Sequence, residues 1–402
     1  MKTALLSLLP LLMMTSTSSA GDTAAQTVNE GGLRIFRAIG QKNEGNICLS
    51  PYSIQAALAM TYAGAHGSTM SQMAEALDFP KKPAVLADGF QKLDAALLAS
   101  RRRDDKDTSL HVANRLFGAV GFSFRPAFLE LLKLRFSAPL EQIDFRNSPS
   151  AAADLINRWV EEQTEKRIRN LIPANALDKT TTLVLVNALY LKIPWAEEFA
   201  AGATQDLPFF VSGRDKTAVP TMTRTDQFGY LEADRFQAVG IPFRGGEFQF
   251  LILLPNKAGG SLELPSAALL EKCASLPRQQ VSLFLPKFRL EPPTISLADA
   301  LKSLGVKAAF DLPQGSADFD GMAPRKPDDY LYLSDVFHKT FFALDEKGVE
   351  AAAATAVVMM RAMSMPEQQE PVVVHVDRPF VFAVQHVPTS ACLFLGRITD
   401  PR

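Results

Sequence analysis

Glu346-Lys347-Gly348-Val349-Glu350-Ala351-Ala352-Ala353-Ala354-Thr355-Ala356-Val357-Val358-Met359-Met360-Arg361-Ala362-Met363-Ser364-Met365 is the stretch on which the reading of this chain turns. It is charged up to Glu350, small and featureless from Ala351 to Ala356, and then apolar. Composition alone admits two ordinary readings. Alanine has the best helix propensity, so the run reads as a helix. Ala356 to Met360 reads equally as a buried strand, because periodicity does not assign a short apolar run.

Strands follow the stretch. Val372–Val376, Phe380–His386 and Ala391–Ile398 are apolar and separated by turn residues. Before it, Thr182–Leu191 is a nearly continuous apolar run, as expected of a strand covered on both faces, and Phe248–Leu254 and Val281–Leu290 look similar. Helices are expected at Leu33–Gln41, from Ser50-Pro51 onward, at Ser68–Leu77, at Pro126–Phe136 and, as a long one, at Ala151–Ile172. Early helices and later strands make the class α+β. The mixed charges of residues 101–107 read as a solvated loop.

The chain has 402 residues, 47% hydrophobic and 21% charged, enough for a large core. With 42 basic and 43 acidic residues, nothing calls for nucleic acid or an anionic membrane as partner. Lys2, the apolar run Ala4–Met14 and the small residues up to Ser18-Ser19-Ala20 read as a signal peptide over 1–20, leaving 21–402 as one secreted domain, extracellular or periplasmic. Cys48, Cys273 and Cys392 are expected to be buried thiols, with at most one bridge. No Asn-x-Ser/Thr sequon occurs, which is compatible with a bacterial source. The five histidines form no His-Glu-x-x-His, and there is no Gly-x-Ser-x-Gly elbow or phosphate loop. No catalytic residue, metal site or cofactor is expected.

Several blocks carry a family resemblance. Phe337-His338-Lys339, then Asp345-Glu346-Lys347-Gly348-x-Glu350 and the small-residue run, resemble the serpin hinge. Asp377-Arg378-Pro379-Phe380-Val381-Phe382 and Leu393-Phe394-Leu395-Gly396-Arg397-Ile398 resemble the C-terminal signature of that family. Asn46-Ile47-x-x-Ser50-Pro51-x-Ser53-Ile54, Ile156-Asn157-x-Trp159-Val160, Leu185-Val186-Asn187-Ala188-x-Tyr190-x-Lys192 with Trp195, Leu285-Pro286-Lys287 and Leu304-Gly305-Val306 with Phe310 add further blocks in order. The match spans nearly the whole mature chain.

The resemblance implies three β-sheets, eight or nine helices and an exposed reactive-centre loop, here about 346–371. It implies a monomeric suicide-substrate inhibitor of serine proteases, with cysteine proteases as a second class. The target cuts the loop, and the loop then inserts in the central sheet of a metastable fold. The hinge would be Glu346, Lys347, Gly348, Val349, Glu350, Ala351, Ala352, Ala353, Ala354 and Thr355. On insertion Val349, Ala351, Ala353, Thr355, Val357 and Met359 would share the buried face, leaving Glu350 pointing outward. Ser53, Asn187 and His338 match the polar cluster at the sheet's centre, with Trp195 and a Lys287–Glu346 ion pair at its top. Counting from Glu346 puts the cut at Ala362–Met363, for elastase-like or subtilisin-like targets; Arg361–Ala362, for trypsin-like targets, is the alternative. Val349 stands where Thr or Ser is usual. Ile193 and Lys166 stand where Gly is frequent, which is expected to reflect local turns. The rival reading is a non-inhibitory carrier or chaperone, against which the small-residue hinge argues.

Overall fold

A computed structural model describes residues 20–100, 107–211, 215–257, 259, 262–350 and 370–402. Outside the described residues lie the expected leader up to residue 19, the charged loop at 101–106, and residues 351–369. That last stretch contains Ala351 to Thr355 and both candidate bonds, at Arg361, Ala362 and Met363.

Eight α-helices stand among the described residues: α1 (Ala20–Gly40), α2 (Pro51–Tyr62), α3 (Gly67–Leu77), α4 (Pro83–Ala99), α5 (Pro126–Phe136), α6 (Pro149–Gln163), α7 (Ala267–Cys273) and α8 (Ala298–Ser303). Helix α1 is far longer than expected, because Ala24, Ala25 and Val28 extend the buried stripe of Leu33 and Phe36. Helix α2 starts where Ser50 caps it, its hydroxyl accepting from the Ser53 N–H, with Pro51 in the first turn. All twelve α2 residues are buried, which points Ser53 into the interior.

Helix α6 stops at Gln163 and does not continue to Ile172. The Thr164 hydroxyl donates to the Val160 carbonyl at 2.7 Å and accepts from the Ile168 N–H, and Glu165 and Lys166 take positive φ of 47° and 61°. A side chain competing for backbone groups, followed by two left-handed residues, ends a helix. Ile168 remains buried, in the connection after the helix rather than on its stripe.

The strands are β1 (Ile47–Leu49), β2 (Ser109–Ala119), β3 (Glu141–Ile143), β4 (Leu183–Pro194), β5 (Gln205–Phe210), β6 (Lys216–Glu232), β7 (Phe236–Pro242), β8 (Phe248–Pro255), β9 (Arg278–Pro286), β10 (Phe288–Leu290), β11 (Ile295–Ser296), β12 (Leu333–Thr340), β13 (Phe342–Asp345), β14 (Gly348–Val349), β15 (Val372–His375), β16 (Phe380–His386) and β17 (Ala391–Ile398). One sheet runs β1-β17-β16-β8-β7-β6-β9-β15, with β5 on β6. The other runs β10-β13-β14-β4-β12-β11, with β2 on β4 and β3 on β2. Two of the three sheets expected are thus joined: β6, at 17 residues, pairs β5 at its start, β9 along its middle and β7 at its end.

Strand β4 explains the long apolar run. Leu183, Leu185, Leu189, Leu191 and Ile193 face the main core, whereas Val184, Val186, Ala188 and Tyr190 face a second cluster with Ile156 and Val160 of α6. Both faces are covered, so neither needs polar residues. The single strand expected at Val281–Leu290 is cut at Lys287. Its first part stays beside β6 and its last part crosses to β13, which leaves Lys287 between the two sheets.

Candidate functional site

Strands β12 and β4 lie side by side in parallel from Leu333↔Leu183 to Thr340↔Leu189. Above that point they part, and β14 enters as a two-residue wedge. Gly348 faces Pro194 and Val349 faces Ile193 on β4, while Asp345 and Leu344 of β13 pair them on the other side. Gly348 has φ +142°, and a Cβ there would stand 2.2 Å from the Ile193 carbonyl oxygen, 2.7 Å from Pro194 Cα and 2.9 Å from the Trp195 nitrogen. These are all backbone atoms that cannot swing away, so the wedge requires glycine. Val349 is buried in the main core. Ile193 corrects one expectation. It lies in β4 rather than in a turn, fully buried, and its carbonyl closes on Gly348. Lys166, at φ +61°, does sit in a turn.

The predicted residues at the top of the sheet converge on this wedge. The Trp195 backbone N–H donates to the Lys347 carbonyl and its indole Nε1 to the Asp345 carbonyl, both at 2.9 Å. Its ring is fixed by stacking on Phe243 at 4.7 Å. Lys287 Nζ lies 2.7 Å from Glu346 Oε2, and the Thr204 hydroxyl donates to Oε1 at 2.7 Å. Burial pushes the Glu346 carboxyl up, but Lys287 and Thr204 outweigh it and hold it below the usual range. Only 13% of the Glu346 side chain is exposed, so this pair is more enclosed than an ordinary surface one.

Glu350 departs from expectation. It lies on the opposite face from Val349, but that face is covered. The residue has φ +47°, and its carboxylate, 13% exposed, pairs with Arg167 at 2.6 Å. Arg167 belongs to the connection after α6, which overlies the sheet here. Burial pushes the Glu350 carboxyl up, against the pull of Arg167 and of the Tyr190 hydroxyl.

Lower down, Ser53, Asn187 and His338 meet across the β4–β12 seam, joined by Asn114 of β2. Asn187 Nδ2 donates to Ser53 Oγ and to Asn114 Oδ1, each at 2.6 Å. Ser53 Oγ donates to Asn114 Oδ1 at 2.8 Å, and Asn114 Nδ2 returns a bond to the Ser53 carbonyl. The Ser50 N–H donates to His338 Nε2 at 3.1 Å, so Nε2 carries no proton and the Nδ1 hydrogen goes to Asn187 Oδ1. Burial pushes His338 down to about 3, which keeps it neutral. The cluster is buried and satisfied, and it bridges the two strands.

Sequence reasoning missed Asn114, Thr204 and Arg167. Asn114 carries a weak signal, being the polar residue in Val112-Ala113-Asn114 of a strand not anticipated; the others carry none. Cys48, Cys273 and Cys392 are buried and free, and burial pushes the first two up to about 12. Among the described residues no group of His, Cys, Asp or Glu is placed to hold a metal, and no helix is long and apolar enough to cross a membrane.

The comparisons agree with this geometry. The family profile described as serpin (serine protease inhibitor) matches residues 26–401. Leukocyte elastase inhibitor of Bos taurus is 37% identical over 380 residues, covering 91% of this chain and 96% of that protein. Serpin48 of the insect Tenebrio molitor superposes with a TM-score of 0.77 at 28% identity, covering 98% of this chain and all of that one. Human thyroxine-binding globulin superposes with a TM-score of 0.81 at 28% identity, over 95% of this chain and all of that one. The wedge beside β4, the polar cluster beneath it and the matched length lead to one conclusion: this chain belongs to the serpin family of serine protease inhibitors.

Proposed function

We propose that this chain is a secreted suicide-substrate inhibitor of serine proteases, with elastase-like or subtilisin-like targets, cut between Ala362 and Met363. The protease serine oxygen attacks the Ala362 carbonyl, the bond to the Met363 nitrogen breaks, and the new amine leaves with the C-terminal segment. Ala362 stays esterified to the protease. The freed strand then inserts between β4 and β12 before water can cleave the ester.

The observation that carries this reading is the wedge β14, two residues of the loop already paired where an inserted strand must begin. Continuing its antiparallel register along β4 would set Thr355 opposite Asn187 and Met359 opposite Leu183, the first residue of β4. Ala362 then falls three residues beyond the sheet, so the attached protease is drawn to its far end. Insertion exchanges one ladder for two. About a dozen new backbone bonds at roughly 0.5–1.5 kcal/mol each give on the order of 10 kcal/mol. A kinetic trap of that depth is sufficient to drive the step.

The test is incubation with pancreatic elastase, subtilisin, trypsin and papain. An SDS-stable complex, a released peptide beginning at Met363, and a large rise in melting temperature of the nicked chain are expected. A peptide beginning at Ala362 would move the bond to Arg361. Turnover without complex and without thermal gain would leave no inhibitory role.

A further inference from the structure

Beside the wedge lies a cleft of about 370 Å³ that the inhibitory reading does not use. Its lining is basic: Lys166, Arg167, Arg169, Arg289 and Lys339, with Glu291 as the only carboxylate among the described residues. The cations come from three elements, the connection after α6, β10 and β12, so the fold assembles them. They are also held in place. Lys339 Nζ donates to the Arg169 carbonyl at 2.7 Å, and Arg169 Nε donates to the Lys166 carbonyl at 3.1 Å. Arg289 and Arg167 flank the Phe341 ring, with guanidinium carbons 4.9 and 5.9 Å from its centroid.

The charges do not balance inside the cleft. Arg289 pairs with Glu291, and Arg167 with Glu350. Among the described residues no carboxylate pairs with Lys166, Arg169 or Lys339. Burial pushes the Lys339 ammonium down, which a second negative charge would reverse. The Arg167 side chain is 45% exposed, so its fork is reachable from solvent while it holds Glu350.

We propose that this cleft binds a tetrahedral oxyanion, a phosphate or sulfate group, and that the anion competes with Glu350 for Arg167. A guanidinium fork and neighbouring lysines suit such a group in geometry and charge. The cleft is at the small end of ligand sites, with room for a compact body attached to the group. Glu350 meets Arg167 through Oε1, with the Tyr190 hydroxyl also drawing on its carboxyl, so an anion on Arg167 has one ion-paired oxygen to displace. Releasing it frees the residue that follows the wedge, so occupancy loosens β14 from β4. By reciprocity, whatever unseats Glu350 tightens the anion. The binding half stands by itself; the hinge half rests on the inhibitory reading of the wedge.

The experiment uses the full mature chain carrying Trp159→Phe. This leaves Trp195, which is bonded to Asp345 and Lys347, as the sole tryptophan. Inorganic sulfate, inorganic phosphate and a sulfated disaccharide are titrated at ionic strength matched with chloride, reading calorimetry and Trp195 fluorescence. Saturable binding with a Trp195 change is expected, weakened at least tenfold in Lys166→Ala/Arg169→Ala and tightened severalfold in Glu350→Gln. Both altered lysine and arginine side chains are exposed, so the double variant should fold. Preference for the disaccharide over free sulfate would assign an ester-borne group, and equal affinity a free ion. No difference from chloride, or binding that persists in the double variant, overturns the site. Binding with a silent Trp195, or unaltered by Glu350→Gln, overturns the competition. Neither outcome bears on whether a protease is trapped, so this proposal and the inhibitory one fail separately.

Discussion

Gly348→Ala puts the wedge under direct test. The new Cβ would lie 2.2 Å from the Ile193 carbonyl oxygen, at a backbone φ of +142° that side-chain-bearing residues avoid. The backbone strain alone is worth about 1–3 kcal/mol. The chain can escape it only by withdrawing β14. Withdrawal exposes Val349, at about 1.5–3 kcal/mol. It also breaks the Glu350 N–H bond to Ala343 and the Trp195 N–H bond to Lys347, at about 0.5–1.5 kcal/mol each. Either route disfavours the first step of insertion by about 3 kcal/mol, or roughly a hundredfold in rate if the transition state feels it fully.

In the proposed mechanism trapping competes with hydrolysis of the ester, so slower insertion would divert flux to cleaved, free inhibitor. The assay is a titration of residual protease activity against inhibitor concentration, with the products resolved on denaturing gels. The variant should need many more inhibitor molecules per protease silenced, cleavage remaining fast. If Gly348→Ala traps protease one for one, with Trp195 fluorescence unchanged, the wedge is not where insertion starts and the reasoning fails.

Other perturbations follow from the same geometry. Val349→Asp places a carboxylate in the main core once the wedge forms. Burying an unpaired charge costs several kcal/mol, so the variant should be cleaved as a substrate and the nicked form should lose its thermal gain, read by calorimetry. His338 is held near 3 when folded against about 6.5 when unfolded, so the unfolded chain binds the extra proton. The stability from the neutral ring is complete above about pH 6.5 and is lost as pH falls toward 3, about 2 kcal/mol of it by pH 5. Urea unfolding at pH 7.5 and 5 should show that slope, and His338→Asn should flatten it. It will not abolish the slope, because burial also lowers His386, to about 4.

Part of the site was legible in sequence because ordered blocks resemble the serpin family, and those blocks brought out Gly348, Lys287 and Glu346. Gly348 suited a hinge, and the structure adds that a Cβ there would meet the β4 backbone. The apolar run in β4 needed no resemblance, since it reads directly as a strand with two covered faces. What stayed hidden depends on distant chain meeting in space. Arg167 looks like one more surface cation in Lys166-Arg167-Ile168-Arg169, and its place over Glu350 follows from the early end of α6. Periodicity favoured a longer helix there, since Ile168 is buried as the stripe requires. The competing Thr164 hydroxyl and two left-handed residues decided otherwise. Likewise, the outward face assigned to Glu350 was that of the inserted strand, whereas here the face opposite Val349 lies against Arg167. It is covered only because the connection after α6 crosses it.

The register also locates the barrier to insertion. On the side facing β12, the ladder on β4 ends at Leu189, and β14 occupies Pro194 and Ile193. Between them Lys192, Leu191 and Tyr190 have no strand partner on that side among the described residues. Glu350, Ala351 and Ala352 would fall opposite these three in the continued register, so insertion gains pairing at first without breaking any. The next residue, Ala353, meets Leu189, where the Thr340 pairing must give way. Two residues later Thr355 reaches Asn187, and the bond from His338 must break as the strands move to about 10 Å apart, twice the usual spacing. Side chains alternate, so Thr355 would arrive on the same face as Asn187, bringing a hydroxyl for the amide that His338 leaves. A polar seam can therefore be re-satisfied by the incoming strand, whereas an apolar one would offer no such exchange. In the proposed mechanism the uncleaved state would therefore be held by a cluster whose bonds the loop can replace.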